Sequence, residues 1–298
     1  MLVALVITFA DLPTILSAVN RIGPAIMVSG LIISLISIMG NACKWHLLTP
    51  QIGVLVLFRV LMISQFYSFF LLGQASGEAA KVIMLARASG RSADAIVSVL
   101  ADRVTSLLGL LIVAVLGFSL SSGDYPDELR WLSIVSLLAL VAGLLALRHN
   151  AVFNFAECVI QRIEQSSTRL VLVARPLRRA IEQWHMSFRD LRLVAASTLI
   201  GSAVQITNVS LAMLLAHQVG IHVPFWDWCW IFGIVSIAGL IPITIGTVTA
   251  GSTLVGLLGL IGVPVNEALA MTILLLTVNF MLALTGAGFM WHRTGKTR

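Results

Sequence analysis

Apolar runs broken by short polar stretches set the pattern of this chain. Runs at residues 22–43, 104–120, 131–147, 193–216 and 268–291 each approach the roughly 17–25 residues a helix needs to cross hydrocarbon. A shorter run at 2–10, ahead of Asp11, predicts a short first span. Two further regions are apolar but interrupted. Residues 52–101 break at Gly73-Gln74-Ala75-Ser76-Gly77, and residues 228–263 break at Pro242 and the Gly/Thr-rich run behind it. Irregular backbone at membrane depth is tolerated only where protein or water covers it. The first region therefore predicts a re-entrant helical hairpin, with a full span plus an interfacial helix as the alternative. The second predicts a hairpin entered from the other face, with Pro242 and Gly246 as its hinge. The fold class expected is all-α: a polytopic membrane helix bundle, 1–298 as one domain, with two re-entrant hairpins in an inverted pseudo-repeat.

Composition sharpens this. Of the 298 residues 58% are hydrophobic and 11% charged, against about 25% charged in a soluble domain. So few charges do not cover a water-facing surface, which excludes soluble enzymes and nucleic-acid binders. The net charge of +6 follows the positive-inside rule instead of marking a nucleic-acid site. Residues 148–192 hold eight arginines against four acids, which predicts a cytoplasmic loop. Lys44-Trp45-His46 predicts a cytoplasmic membrane boundary, and Trp226, Trp228 and Trp230 an aromatic belt at the outer one. Both chain termini are then expected in the cytoplasm. Cys43, Cys158 and Cys229 are far apart and read as small apolar residues. No P-loop, zinc motif or Ser-His-Asp set is present, so neither cofactor nor metal is expected.

Three stretches carry a family resemblance. The first is Ser76-Gly77-Glu78-Ala79-Ala80-Lys81. The second is Ser98-Val99-Leu100-Ala101-Asp102-Arg103, with Gly109 and Leu110 behind it. The third runs from Pro242 through Gly246 to Gly251 and Ser252. In these the chain resembles the lysylphosphatidylglycerol synthase transmembrane region, also called the flippase-like domain. The Asp-Arg stretch matches best. In the first, Glu78 and Lys81 stand for the family's Asp and Arg. In the third, Thr247, Thr249 and Ser252 stand where the family has two glycines and an acid. The resemblance implies a bacterial inner-membrane location and a divergent branch, of which hopanoid-associated membrane proteins are one. The synthases add a soluble transferase domain after the membrane part. A chain ending at Arg298 is expected to lack it, which implies handling or translocation of a lipid or lipid-linked headgroup. The other reading is a membrane subunit or scaffold that leaves the chemistry to a lipid-modifying enzyme partner.

The charges at 71–110 are the candidate chemistry. This stretch holds seven of the 32 Asp, Glu, Lys and Arg residues. Each charge in hydrocarbon costs at least ~2.5–3.5 kcal/mol, so each must pair, reach an interface or line a wet cavity. Glu78 and Lys81 are three apart on a helix and face each other. Arg59 is the expected third member of a lipid phosphate site with Lys81 at the Gly77 turn. Asp102 is expected to meet Arg87 or Arg91, and Arg103 to contact the headgroup or anchor the next span. A structural ion pair is the alternative for Glu78 and Lys81. Gln205, Asn208 and Asn279 are expected to hydrogen-bond between helices.

Overall fold

The computed structural model describes residues 23–71, 73–90, 92–123, 127–148, 190–239 and 246–294. Within them the chain is all helical. The helices are α1 Pro24–Leu48, α2 Val54–Phe70, α3 Gln74–Ser89, α4 Ser92–Leu120, α5 Asp127–Arg148, α6 Leu191–Gln218, α7 Phe225–Gly239, α8 Gly246–Leu260 and α9 Val265–Thr294. Five are long and apolar enough to cross a membrane: α1, α4, α5, α6 and α9. The span expected at 2–10, residues 149–189 of the expected loop, and Pro242 lie outside the described residues.

Two expected boundaries move. The run at 22–43 continues as α1 to Leu48, because Lys44 and Trp45 are buried inside the bundle and not parked at its edge. The limb expected to run from Glu78 to Ala101 stops at Ser89. Gly90 ends it with φ 70°, its N–H donating to Ala86 O at 2.9 Å, a left-handed cap that glycine adopts without strain. The next helix, α4, then runs unbroken through Asp102 and Arg103 to Leu120. Charges that find partners inside the bundle do not end a helix.

Short connections and close contacts fix the directions. Along α1 and α6 the neighbours are Gly30 with Leu211, Gly40 with Val204, and Lys44 with Gly201. Between the first two of these Ser37 Oγ donates to Asn208 Oδ1 at 2.7 Å. The two helices are therefore antiparallel. Helix α4 crosses α6 at Gly109, where an added Cβ would lie 2.6 Å from Ser202 N. Small residues of this kind let helix backbones meet where lipid supplies no hydrophobic drive. Helix α9 returns alongside α2, with Phe58 against Phe289 and Phe69 against Phe280.

The bundle therefore has two ends. Helices α1, α3, α5 and α9 finish, and α2, α4 and α6 start, at one end. The described charges there include Arg59, Arg87 and Arg192 against Asp94 and Asp190; this is the basic end. The other end carries Asp127, Glu128, Asp227 and Glu267 against Arg130; this is the acidic end. The pair α2/α3 has its outer termini at the basic end, and the pair α7/α8 at the acidic end. Their inner tips meet: a Cβ on Gly239 of α7 would lie 3.6 Å from Gln74 Nε2 of α3.

The expected outer belt is corrected in part. Trp226 is exposed, but Trp228 and Trp230 are buried in an apolar core with Ile231, Leu258 and Met271. Trp230 stacks on Phe118 with ring centroids 4.8 Å apart. Trp228 lies about 200° around α7 from both Trp226 and Trp230, so the three do not share one lipid face. Trp230, one turn on from Trp226, is buried because Phe118 of α4 covers it.

Candidate functional site

Gly77 sets where α3 can lie. A Cβ at this position would sit 1.9 Å from Ser68 Oγ and 2.9 Å from Ser64 O, both on α2. With glycine there, α3 packs onto α2, and Ser76 Oγ bridges Tyr67 O and Gly73 O at 2.7 Å each across the tip. The next turn of α3 then presents Glu78 and Lys81 to α4 and α1. Gly77 serves the site through this packing.

Four of the expected site residues come together. Lys81 Nζ donates to Glu78 Oε1 at 3.1 Å and lies 3.9 Å from Asp102 Oδ2. Arg103 Nη1 is 3.4 Å from the same Glu78 oxygen. Arg103 Nη2 also donates to Gln74 Oε1 at the tip. Among the described residues Glu78 Oε2 is buried without a hydrogen-bond partner.

Arg59 does not join them. It donates through Nη2 to Phe289 O at 2.8 Å, a carbonyl in the last turns of α9. Among the described residues Arg87 is exposed and is not the partner of Asp102, and Arg91 lies outside them. That role belongs to Lys44, whose Nζ lies 2.8 Å from Asp102 Oδ1. The same ammonium donates to Asp102 O at 3.1 Å and to Ser106 Oγ. Its side chain is 0% exposed, and that of Asp102 7%. Two spare carbonyl and hydroxyl acceptors thus complete what a buried ion pair needs.

Trp45 is the second residue that sequence reasoning missed. Its Nε1 donates to Ser98 Oγ at 2.7 Å, which holds the indole against α4. Lys81 Nζ sits 5.8 Å from its ring centroid, within cation–π range. The signal for both residues was Leu47 and Leu48. These two apolar residues beyond Lys44 carry α1 another turn, so Lys44 was never its last residue.

The site has two layers. Lys44, Asp102 and Trp45 are buried between α1 and α4, with the half-buried Ser106 beside them. Lys81, Glu78 and Arg103 lie outside them, with side chains 11%, 26% and 32% exposed. The outer layer presents two cations and one carboxylate in reach of a ligand, which suits a group carrying an anionic oxygen. Gly246 opens α8 at the tip of the second pair. Among the described residues no group of three or more His, Cys, Asp or Glu is placed to hold a metal.

The family model described as the lysylphosphatidylglycerol synthase TM region matches residues 1–286. Comparisons with curated proteins and with solved structures found no match.

Proposed function

The chain belongs to the lysylphosphatidylglycerol synthase TM-region family, a multi-pass membrane protein, and on that footing we propose that it binds a lipid headgroup at the Glu78–Lys81–Arg103 cluster and translocates it. One observation carries this reading: two cations converge on a single carboxylate oxygen at the point where two helical tips meet. Such charges inside an apolar bundle mark substrate paths more often than they mark scaffolding.

Depth supports it. Asp102 lies ten residues into the 29-residue α4, about 15 Å along an axis of about 44 Å, which is inside the helix and not at its rim. Helices α2 and α3, of 17 and 16 residues, extend about 25 Å each. The pair is the re-entrant hairpin in this account, and α7/α8 its counterpart from the other face. Interrupted helices meeting at mid-depth are the usual build of a transporter site. The basic end faces the cytoplasm of a bacterial cell and the acidic end faces outward, in keeping with the positive-inside rule.

Purified protein examined by native mass spectrometry, with the retained lipid extracted and identified, tests the reading. Wild type is expected to keep one lipid class that Lys81→Ala loses. A generic lipid mixture, unchanged by the substitution, would reduce the cluster to a structural ion pair.

A further inference from the structure

Charge balance at the cluster points to the ligand. Three cations (Lys44, Lys81 and Arg103) face two carboxylates (Glu78 and Asp102), so in their ordinary ionised forms the five leave one positive charge over. The inner pair is complete, since Asp102 Oδ1 and two further acceptors hold Lys44. The excess therefore falls on the outer layer. There Lys81 and Arg103 share one oxygen, Glu78 Oε1, at 3.1 and 3.4 Å. Lys81 reaches Asp102 only at 3.9 Å. Neither cation has a carboxylate to itself.

The nearest other described charges do not cancel this. Arg87 and Asp94 lie six and eight residues toward the basic end from Lys81 and Asp102 respectively, about 9 and 12 Å along the helices. Arg87 is exposed there and Asp94 has a partner already. Arg59, a further cation, cannot cancel a positive excess, and its Nη2 is directed to the carbonyl of Phe289.

From this we infer that the site is built for a group carrying one net negative charge, the charge of a phosphodiester. The inference rests on the headgroup reading and narrows it. A monoanion brings the cluster to neutrality. A zwitterionic headgroup leaves the positive charge in the apolar wall, and a phosphomonoester, with close to two charges above its second pKa of about 6, overshoots. Arginine has five N–H donors. Arg103, one-third exposed with contacts to Glu78 and Gln74, is the residue with donors to spare for the phosphate.

The test uses the full chain in non-ionic detergent at pH 8, titrated while its thermal midpoint is followed. The probes are short-chain phosphatidylmethanol (one charge and no other headgroup function), phosphatidylcholine, phosphatidic acid and inorganic phosphate. Wild type is expected to bind phosphatidylmethanol at least ten-fold tighter than phosphatidylcholine or phosphatidic acid. Arg103→Gln, which leaves the cluster neutral, is expected to lose the preference over phosphatidylcholine. Lys81→Gln removes the same charge and serves if the first variant does not fold. Glu78→Gln adds a charge and is expected to turn the preference toward phosphatidic acid. Glu78→Gln weakening phosphatidylmethanol as Arg103→Gln does would overturn the inference. So would a wild type that ignores headgroup charge. Tight phosphatidylcholine binding that Lys81→Gln abolishes would overturn the charge rule and leave the headgroup site standing. Inorganic phosphate, mostly a dianion at pH 8, is expected to bind weakly as phosphatidic acid does; binding as tight as that of phosphatidylmethanol would overturn both the charge rule and the lipid reading.

Discussion

Lys44 and Asp102, 58 residues apart in the chain, form a buried ion pair at 2.8 Å, with the lysine wholly out of solvent. The pair ties α1 to α4 and fixes one carboxylate oxygen, so that the other faces Lys81. Breaking such a pair leaves a charge alone in the core and costs about 3–5 kcal/mol, whereas replacing both members with apolar groups is often neutral. Lys44→Ala is therefore expected to lower the thermal midpoint in detergent sharply. Lys44→Met combined with Asp102→Leu is expected to recover most of the loss. A double variant as unstable as the single would show that more than the pair is at stake.

Gly77 is a second point of close packing. Alanine there would drive its Cβ to 1.9 Å from Ser68 Oγ, and overpacking of this kind costs about 1–3 kcal/mol. Gly77→Ala is expected to destabilise the protein. Adding Ser68→Ala should return part of the loss, since Ser64 O still lies 2.9 Å away. Thermal unfolding of the three variants measures this.

Arg59 serves as the internal control. Its contact is the carbonyl of Phe289 and not the cluster. Arg59→Gln is expected to leave lipid retention at wild-type level, while Lys81→Ala abolishes it in the same native mass spectrometry experiment. Equal losses would bring Arg59 back into the site.

Sidedness has its own test. In a cysteine-free background, Glu128→Cys at the acidic end should react with an impermeant maleimide added to intact cells, and Arg192→Cys at the basic end should react only after lysis. The opposite labelling would invert the orientation argued from charge.

How much of this was legible in the sequence follows from where the partners lie. The helices around 193–216 and 268–291 showed as plain apolar runs, and α6 and α9 occupy them. Glu78 and Lys81 showed because three residues on one helix is a local relation. Lys44 did not. A lysine followed by tryptophan and histidine has the look of an interface anchor, and its partner comes from another helix. The end of the first helical pair was misplaced for a related reason. Asp102 and Arg103 looked like an edge, while the real break was the quieter Gly90. The Asn208 contact was foreseen in kind, but its partner, Ser37, was set by the packing of α1 on α6.

If the Glu78–Lys81–Arg103 cluster is the path of a headgroup, Lys81 is needed for translocation. Translocation of a fluorescent monoanionic phospholipid is followed in liposomes holding the purified full chain. Leaflet exchange is read by quenching of the outer leaflet. Exchange well above that of protein-free liposomes is expected for wild type and for Arg59→Gln. Lys81→Ala is expected to fall to the protein-free rate in protein that still elutes as a folded species. Exchange at the wild-type rate in Lys81→Ala would take the headgroup path away from this cluster.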